Sequence, residues 1–271
     1  MNLFYSITLY LWDYIFSIID KNEIKILRIV CKDFKNISIN YWIQNLSDKE
    51  VNNYFINNQK LNFNIRFIIL QNKQFDFKNM NDKNLLLFLS CEYKYLELIK
   101  LLIKSGININ EKERCNKTAL MYASIYGNLE IVKLLLENGA NINEKDYKNN
   151  NALFYASLEG YLEIVKLLIK NGTNINEKNN VGLSSLFIAT HHSYLEIIKL
   201  LLENGANING KNNIGSTPLI YASKCGYLEI VKLLVKNGAN INEKDNYGMD
   251  VFHYAKKNNK IEIIKYLENF I

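Results

Sequence analysis

From about residue 81 onward, apolar positions fall into pairs of short helical stripes separated by polar turns, and the pattern returns every 33 residues. Glu97, Glu130, Glu163, Glu196, Glu229 and Glu262 keep that interval, as do Gly106, Gly139, Gly172, Gly205 and Gly238, and Asn110, Asn143, Asn176, Asn209 and Asn242. A fixed period of this size marks stacked supersecondary units. Each unit opens on a turn residue tolerant of positive φ (Asn116, Asn149, Gly182, Gly215, Gly248). Two residues on comes a side chain able to cap a helix: Thr118, Asn151, Ser184, Thr217 or Asp250. Leu120, Leu153, Leu186, Leu219 and Phe252 follow as core, with small Ala123, Ala156, Ala189, Ala222 and Ala255 one helical turn later to let neighbouring helices approach. A break (Gly127, Gly160, Ser193, Gly226, Asn259) leads into a second helix, LEIVKLLLENG in its commonest form. Its Glu sits in the first turn, where the helix dipole favours negative charge, and its Gly is a left-handed stop. The pattern predicts an all-α chain of paired helices.

The run GSTPLIYASKCGYLEIVKLLVKNGANINEKD, residues 215–245, resembles an ankyrin repeat. TPLIYA is a near match to that family's TPLHxA signature, and His253 stands at the signature's His position in the last unit. The resemblance covers residues 81–271, about six repeats. The first unit (81–112) has Lys83 and Ser90 where the others carry the turn residue and Ala, and the last stops where its closing Gly would fall. Such atypical ends are expected, because a terminal unit turns one face to water. Residues 46–80 read as a helical linker or an eroded further repeat. The resemblance implies an ankyrin solenoid of helix-turn-helix units with β-turn tips. It also implies a protein-binding scaffold without catalysis, whose turns and first helices form an extended concave surface. His253 would then bond within and between turns.

Binding on such a surface is read from side chains the fold does not need. These are Arg114, Cys115, Lys117, Ile125 and Tyr126, then Tyr147, Lys148, Asn150, Leu158 and Glu159. Further along come Val181, Leu183, His191, His192, Ile214, Ser216, Lys224, Cys225, Tyr247 and Met249. Tyr122, Tyr155, Ile188, Tyr221 and Tyr254 recur at one position, either as an aromatic stripe along the groove or as packing against the next repeat. The candidate target contacts are therefore Tyr122, Ile125, Tyr126, Tyr155, Leu158, Glu159, His191, His192, Tyr221, Lys224, Cys225 and Tyr254. Lys112, Lys145, Lys178, Lys211 and Lys244 also recur; Glu111, Glu144, Glu177 and Glu243 precede four of them and cancel most of their field, so solvated turns are expected rather than a basic rail.

Composition narrows the function classes. The single Pro218 and 12 glycines rule out long Pro/Gly linkers. The net charge of +6 is diffuse, and only Arg28, Arg66 and Arg114 are arginines, which speaks against nucleic-acid recognition. Cys31, Cys91, Cys115 and Cys225 show no C-x-x-C spacing, so neither zinc nor a redox pair is signalled and a reducing compartment is expected. His191 and His192 have no local carboxylate or thiol at ligand spacing. No phosphate loop, nucleophile motif or acid–base pair is present, so no catalytic, cofactor or metal site is expected. The apolar stretch 3–19 contains Asp13 and has neither a basic lead nor a cleavage site. The expectation is a cytoplasmic protein without a membrane association.

The front of the chain is different. Asp20-x-x-Glu23 reads as a capping box, and Ile24, Leu27, Cys31 and Phe34 follow at helical spacing. With Leu9, Leu11, Trp12, Ile15, Phe16, Ile18 and Ile19 just before, this short segment holds more apolar surface than it can bury alone. Either the repeat stack covers it as a cap, or another molecule does. The run D-x-x-E-I-x-x-L-R-x-V-C-K-x-F, followed by Trp42, resembles an F-box over residues 5–45, although Ile7-Thr8 replaces that family's opening Leu-Pro. The resemblance implies docking on a Skp-type adaptor of a cullin ubiquitin ligase. The implied contacts are Leu11, Ile15, Ile18, Ile19, Ile24, Leu27, Val30, Cys31 and Phe34. The expected organisation is thus an F-box-like helical module (5–45), a linker or eroded repeat (46–80) and an ankyrin array (81–271). It would act as an adaptor holding a target near a ligase; a plain scaffold with an N-terminal cap is the alternative. Proteins joining these modules occur in large DNA viruses, and the Asn-, Ile- and Lys-rich composition suits an AT-rich genome, so a viral protein working in the host cytoplasm is one expectation.

Overall fold

The computed structural model describes residues 83–113 and 115–270. The proposed F-box-like module, the segment 46–80 and Arg114 lie outside the described residues. Twelve α-helices follow in order: α1 Lys83–Glu92, α2 Leu96–Lys104, α3 Ala119–Ile125, α4 Leu129–Glu137, α5 Ala152–Glu159 and α6 Leu162–Lys170, then α7 Ser185–His191, α8 Leu195–Glu203, α9 Pro218–Cys225, α10 Leu228–Lys236, α11 Val251–Lys257 and α12 Ile261–Leu267. A 3-10 turn, Glu268–Phe270, follows α12. Among the described residues there is no strand. No helix there is long and apolar enough to cross a membrane.

Each odd-numbered helix from α3 onward starts on the predicted cap. The Asn151, Ser184, Thr217 and Asp250 side chains accept the N–H of Phe154, Phe187, Ile220 and His253 at 2.9, 3.2, 3.2 and 2.8 Å. The Thr118 hydroxyl faces the Met121 N–H in the same way at 3.4 Å. The even-numbered helices mostly lack a side-chain cap and carry a first-turn Glu instead. The break residues all take positive φ, including the non-glycine Ser193 and Asn259. Gly127 meets a second demand. A Cβ there would lie 2.4 Å from the Tyr161 ring, which lies across the break from the next repeat.

Odd helices pack on odd and even on even, giving two layers bound by the α1–α2, α3–α4 and later hairpins. Between the layers, Leu120, Leu153, Leu186 and Leu219 are closed to water, as are all five alanines of the small-residue row. Ser90 occupies the alanine place in the first repeat and is equally buried. On the even helices, Ile131, Val132 and Leu135 recur as Ile164, Val165 and Leu168 and in the later repeats, all buried except the half-buried Ile264. Each such side chain contributes roughly 1.5–3 kcal/mol on leaving water. Phe252 departs from its expected place in the core. It is only half-buried.

The asparagine row found by its spacing turns out to join the repeats. Asn110, Asn143, Asn176 and Asn209 each accept, through Oδ1, the backbone N–H of Asn141, Asn174, Asn207 and Asn240 in the next repeat, at 2.7–2.9 Å. Asn110 and Asn176 also donate Nδ2–H to the Gly139 and Gly205 carbonyls at 3.1 Å. One side chain thereby satisfies two main-chain groups across a junction that would otherwise rely on packing alone. Asn176→Ala should lower stability by about 1–2 kcal/mol, read as a shift of the urea midpoint followed by circular dichroism. An unchanged midpoint would show that these bonds are not important to the junction.

Candidate protein-binding face

The turn before each odd helix is fixed by an acidic or amide side chain. Asp146 Oδ1 accepts the N–H of Lys148 and of Asn150, both at 2.8 Å. Asn179 does the same for Val181 and Leu183, Asn212 for Ile214 and Ser216, and Asp245 for Tyr247 and Met249, all at 2.9–3.1 Å. The bracket holds Lys148, Val181, Ile214 and Tyr247 by their main-chain N–H alone, so the side chains at that tip position stay free. Successive tips are then tied together. Tyr147, Asn180, Asn213 and Asn246 donate main-chain N–H to the carbonyls of Cys115, Lys148, Val181 and Ile214 at 2.9–3.2 Å. Asn180, Asn213 and Asn246 add side-chain bonds to the Tyr147, Asn180 and Asn213 carbonyls. On this rigid edge Val181, Ile214 and Tyr247 stand 56%, 51% and 69% exposed, one per repeat.

The tyrosine stripe is tied into the fold while its ring edges stay half-exposed. Tyr155 and Tyr254 donate their hydroxyls to Asp146 and Asp245 at 2.5 and 2.6 Å, locking the helix to its own turn bracket. Tyr122 stacks on Phe88 of the preceding repeat at 5.5 Å, and Tyr221 meets Phe187 at the same distance. Ile188 is buried, whereas the four tyrosines keep a half-exposed edge. The bond to Asp245, then burial, pushes the Tyr254 hydroxyl up to about 12. Burial, then the bond to Asp146, raises that of Tyr155. Both therefore remain donors at neutral pH. Burial alone would raise the Asp245 carboxyl, but the bonds from Tyr254, Met249 and Tyr247 outweigh it and hold it below the usual range.

Of the other expected contacts, Glu159, His191, His192 and Lys224 are exposed; Ile125, Tyr126, Leu158 and Cys225 are half-buried. Cys115 is exposed and Cys91 fully enclosed. Two candidates are corrected. Asn150 and Ser216 are buried, because the bracket draws their main chain inward, and Asn150 also bonds Asp146 and Asn179. His253 does not bond within and between turns. Its ring is exposed and meets Tyr254 edge-on, while the hydroxyl of Tyr254 makes the bond to the turn. The preceding repeats bury Met121, Phe154, Phe187 and Ile220 at that position. The recurrent lysines are structural. Lys112 pairs with Glu144 at 2.6 Å, Lys145 with Glu177, and Lys211 with Glu243 at 2.8 Å, each across a repeat junction. Gly210 replaces the glutamate that Lys178 would meet, and Lys178 bonds the Lys211 carbonyl alone. Exposed pairs of this kind contribute a few tenths of a kcal/mol each. Among the described residues no group of His, Cys, Asp and Glu is placed to hold a metal ion.

Six stacked helix pairs with tied turn tips have a counterpart among known families. The family described as Ankyrin repeats (3 copies) matches residues 27–146, 87–179, 153–245 and 186–270. The chain belongs to the ankyrin-repeat family. No curated protein matches it closely enough to add a named relative. Within this ankyrin array the tyrosine–aspartate bond joins the fourth residue of α5 and of α11 to the bracket. The sequence signal for it was Asp146 and Asp245, each nine residues before a Tyr, against Asn179 and Asn212 elsewhere.

Tyr254→Phe should cost about 1–2 kcal/mol at neutral pH, since a bond to a charged, buried carboxylate is lost. A carboxyl held low by folding stabilises above its unfolded pKa of about 3.9 and loses that contribution as pH falls through its folded value. The difference between Tyr254→Phe and the parent should therefore shrink at acid pH, in urea titrations at the two pH values. A pH-independent difference would assign the loss to packing.

Proposed function

We propose that the protein is a non-enzymatic interaction scaffold whose turn tips and odd-numbered helices bind a protein target. The observation that carries this reading is the row Val181, Ile214 and Tyr247: large apolar side chains held in water on a hydrogen-bonded edge that does not use them. Beside it lie the half-exposed Tyr122, Tyr126, Tyr155, Tyr221 and Tyr254, a residue type enriched where proteins meet. Membership of a family made up in general of binding scaffolds supports the same reading. The cytoplasm is its proposed site of action, in keeping with the free thiols Cys91, Cys115 and Cys225.

A second reading adds the ligase link. The capping box at Asp20 and the run ending at Phe34 support an F-box-like module that would recruit a Skp-type adaptor and cullin, bringing the bound target close to the ligase. The same reading extends to a large DNA virus as source, supported by the composition. The family match beginning at residue 27 supports instead the plain scaffold, with residues 48–80 as an eroded repeat and the first helices as its cap.

Affinity capture from cell extract with the whole chain tests both. Ile214→Glu with Tyr247→Glu should abolish target recovery while the helical circular dichroism and melting point stay unchanged; undiminished recovery would refute the tip edge as the binding surface. Skp-type adaptor in the parent eluate, lost on Leu27→Asp or Val30→Asp with target still bound, is the outcome expected of the ligase reading. Target recovered without adaptor or cullin leaves the plain scaffold.

A further inference from the structure

One register row of the odd helices changes character along the stack. The last-turn position reads Ile125, Leu158, His191, Lys224 and Lys257 from α3 to α11. The two aliphatic side chains are half-buried and the later three are exposed. Two rings brace the later part. His191 stacks on Tyr221 at 5.1 Å, and the Lys224 ammonium lies over the Tyr254 ring at 5.6 Å. Lys260 folds its stem across Gly226 at the end of α9, where Tyr161 and Tyr194 cover Gly127 and Gly160 in the earlier repeats. Among the described residues, Lys224, Lys257 and Lys260 take part in no salt bridge, unlike Lys100, Lys166, Lys199 and Lys232 of the even helices.

Acidic groups follow the opposite gradient. Glu92 lies near Tyr126 and Glu113 near Tyr122, and Glu159 is exposed, all toward the first repeats. At the other end Asp245 is occupied by Tyr254 and its own turn, and Asp250 caps α11. The face is therefore aliphatic and mixed in charge at one end, where the Lys117 ammonium lies over the Tyr122 and Tyr155 rings, and cationic at the other.

Resting on the scaffold reading above, we infer that the target presents an extended or helical segment with an apolar end and an acidic end, laid with its apolar residues over Ile125 and Leu158 and its carboxylates over Lys224, Lys257 and Lys260. Charge complementarity selects the acidic end: opposite charges steer the encounter and fix direction, whereas a basic segment would meet like charge there. The aliphatic end and the absence of arginine from this row favour a protein over a nucleic acid.

The test uses the whole chain and labelled peptides with a leucine-rich end and a glutamate-rich end, followed by fluorescence anisotropy. The glutamate peptide should bind at least about tenfold more tightly than its glutamine counterpart and weaken in high salt, and a lysine counterpart should not bind. Lys224→Gln with Lys257→Gln should remove the glutamate preference, whereas Ile125→Asp should weaken both the glutamate and the glutamine peptides. A bromoacetyl group on the glutamate end should alkylate Cys225, and one on the leucine end Cys115, as mapped by mass spectrometry. Equal binding of glutamate and glutamine peptides, the reversed alkylation pattern, tighter binding of a single-stranded RNA, or no peptide binding would each overturn the inference. The scaffold reading stands or falls separately, on target recovery by the Ile214→Glu, Tyr247→Glu variant.

Discussion

No repeat in this chain can bury its own apolar surface, and everything else in the array follows from that. A pair of helices of seven to ten residues offers Leu, Ile and Val on one side and Ala on the other, and only the neighbouring pair can cover both. Burial drives the stacking but does not direct it, because an apolar face tolerates sliding. Direction comes from the polar ties at each junction: the asparagine row at one edge, main-chain bonds between tips at the other, and lysine–glutamate pairs between them. Each tie is modest alone, and together they fix the register at which Ala123 and its equivalents meet the next helix.

Much of this was legible in the sequence because it repeats. The caps Thr118 to Asp250, the left-handed positions and the buried Leu and Ala rows all sit where a 33-residue interval placed them. Less legible was anything depending on which neighbour a side chain meets. Asn110 and its equivalents were visible as a row, yet their bonds reach 31 residues along the chain, and spacing alone does not name the acceptor. Asn150 and Ser216 look like surface residues, since burial there comes from the turn drawing the main chain inward. His253 fits a signature and yet does not perform its role, because its ring is exposed and the Tyr254 hydroxyl takes up the turn bond. The lysine row reads as surface charge until its partner in the next repeat is seen.

The proposed binding face is thus what remains once structural duties are subtracted. The tyrosine stripe does not fall wholly on either side of that division. Tyr155 and Tyr254 spend their hydroxyls on the fold while keeping a ring edge in water, and Tyr122 and Tyr221 lean on the preceding repeat. A partner touching such rings meets groups already held in place, so little side-chain freedom is lost on contact. The tip residues are freer, and the last-turn row grades from aliphatic to cationic without disturbing any helix.

The turn bracket has a consequence for how such a surface changes over generations. Because Asp146, Asn179, Asn212 and Asp245 hold Lys148, Val181, Ile214 and Tyr247 by the peptide N–H and not by the side chain, the identity of those four residues is invisible to the backbone they sit on. Any residue but proline can be exchanged there without loosening the loop. Natural selection can therefore rewrite these positions one codon at a time, retargeting the molecule while its architecture is inherited intact.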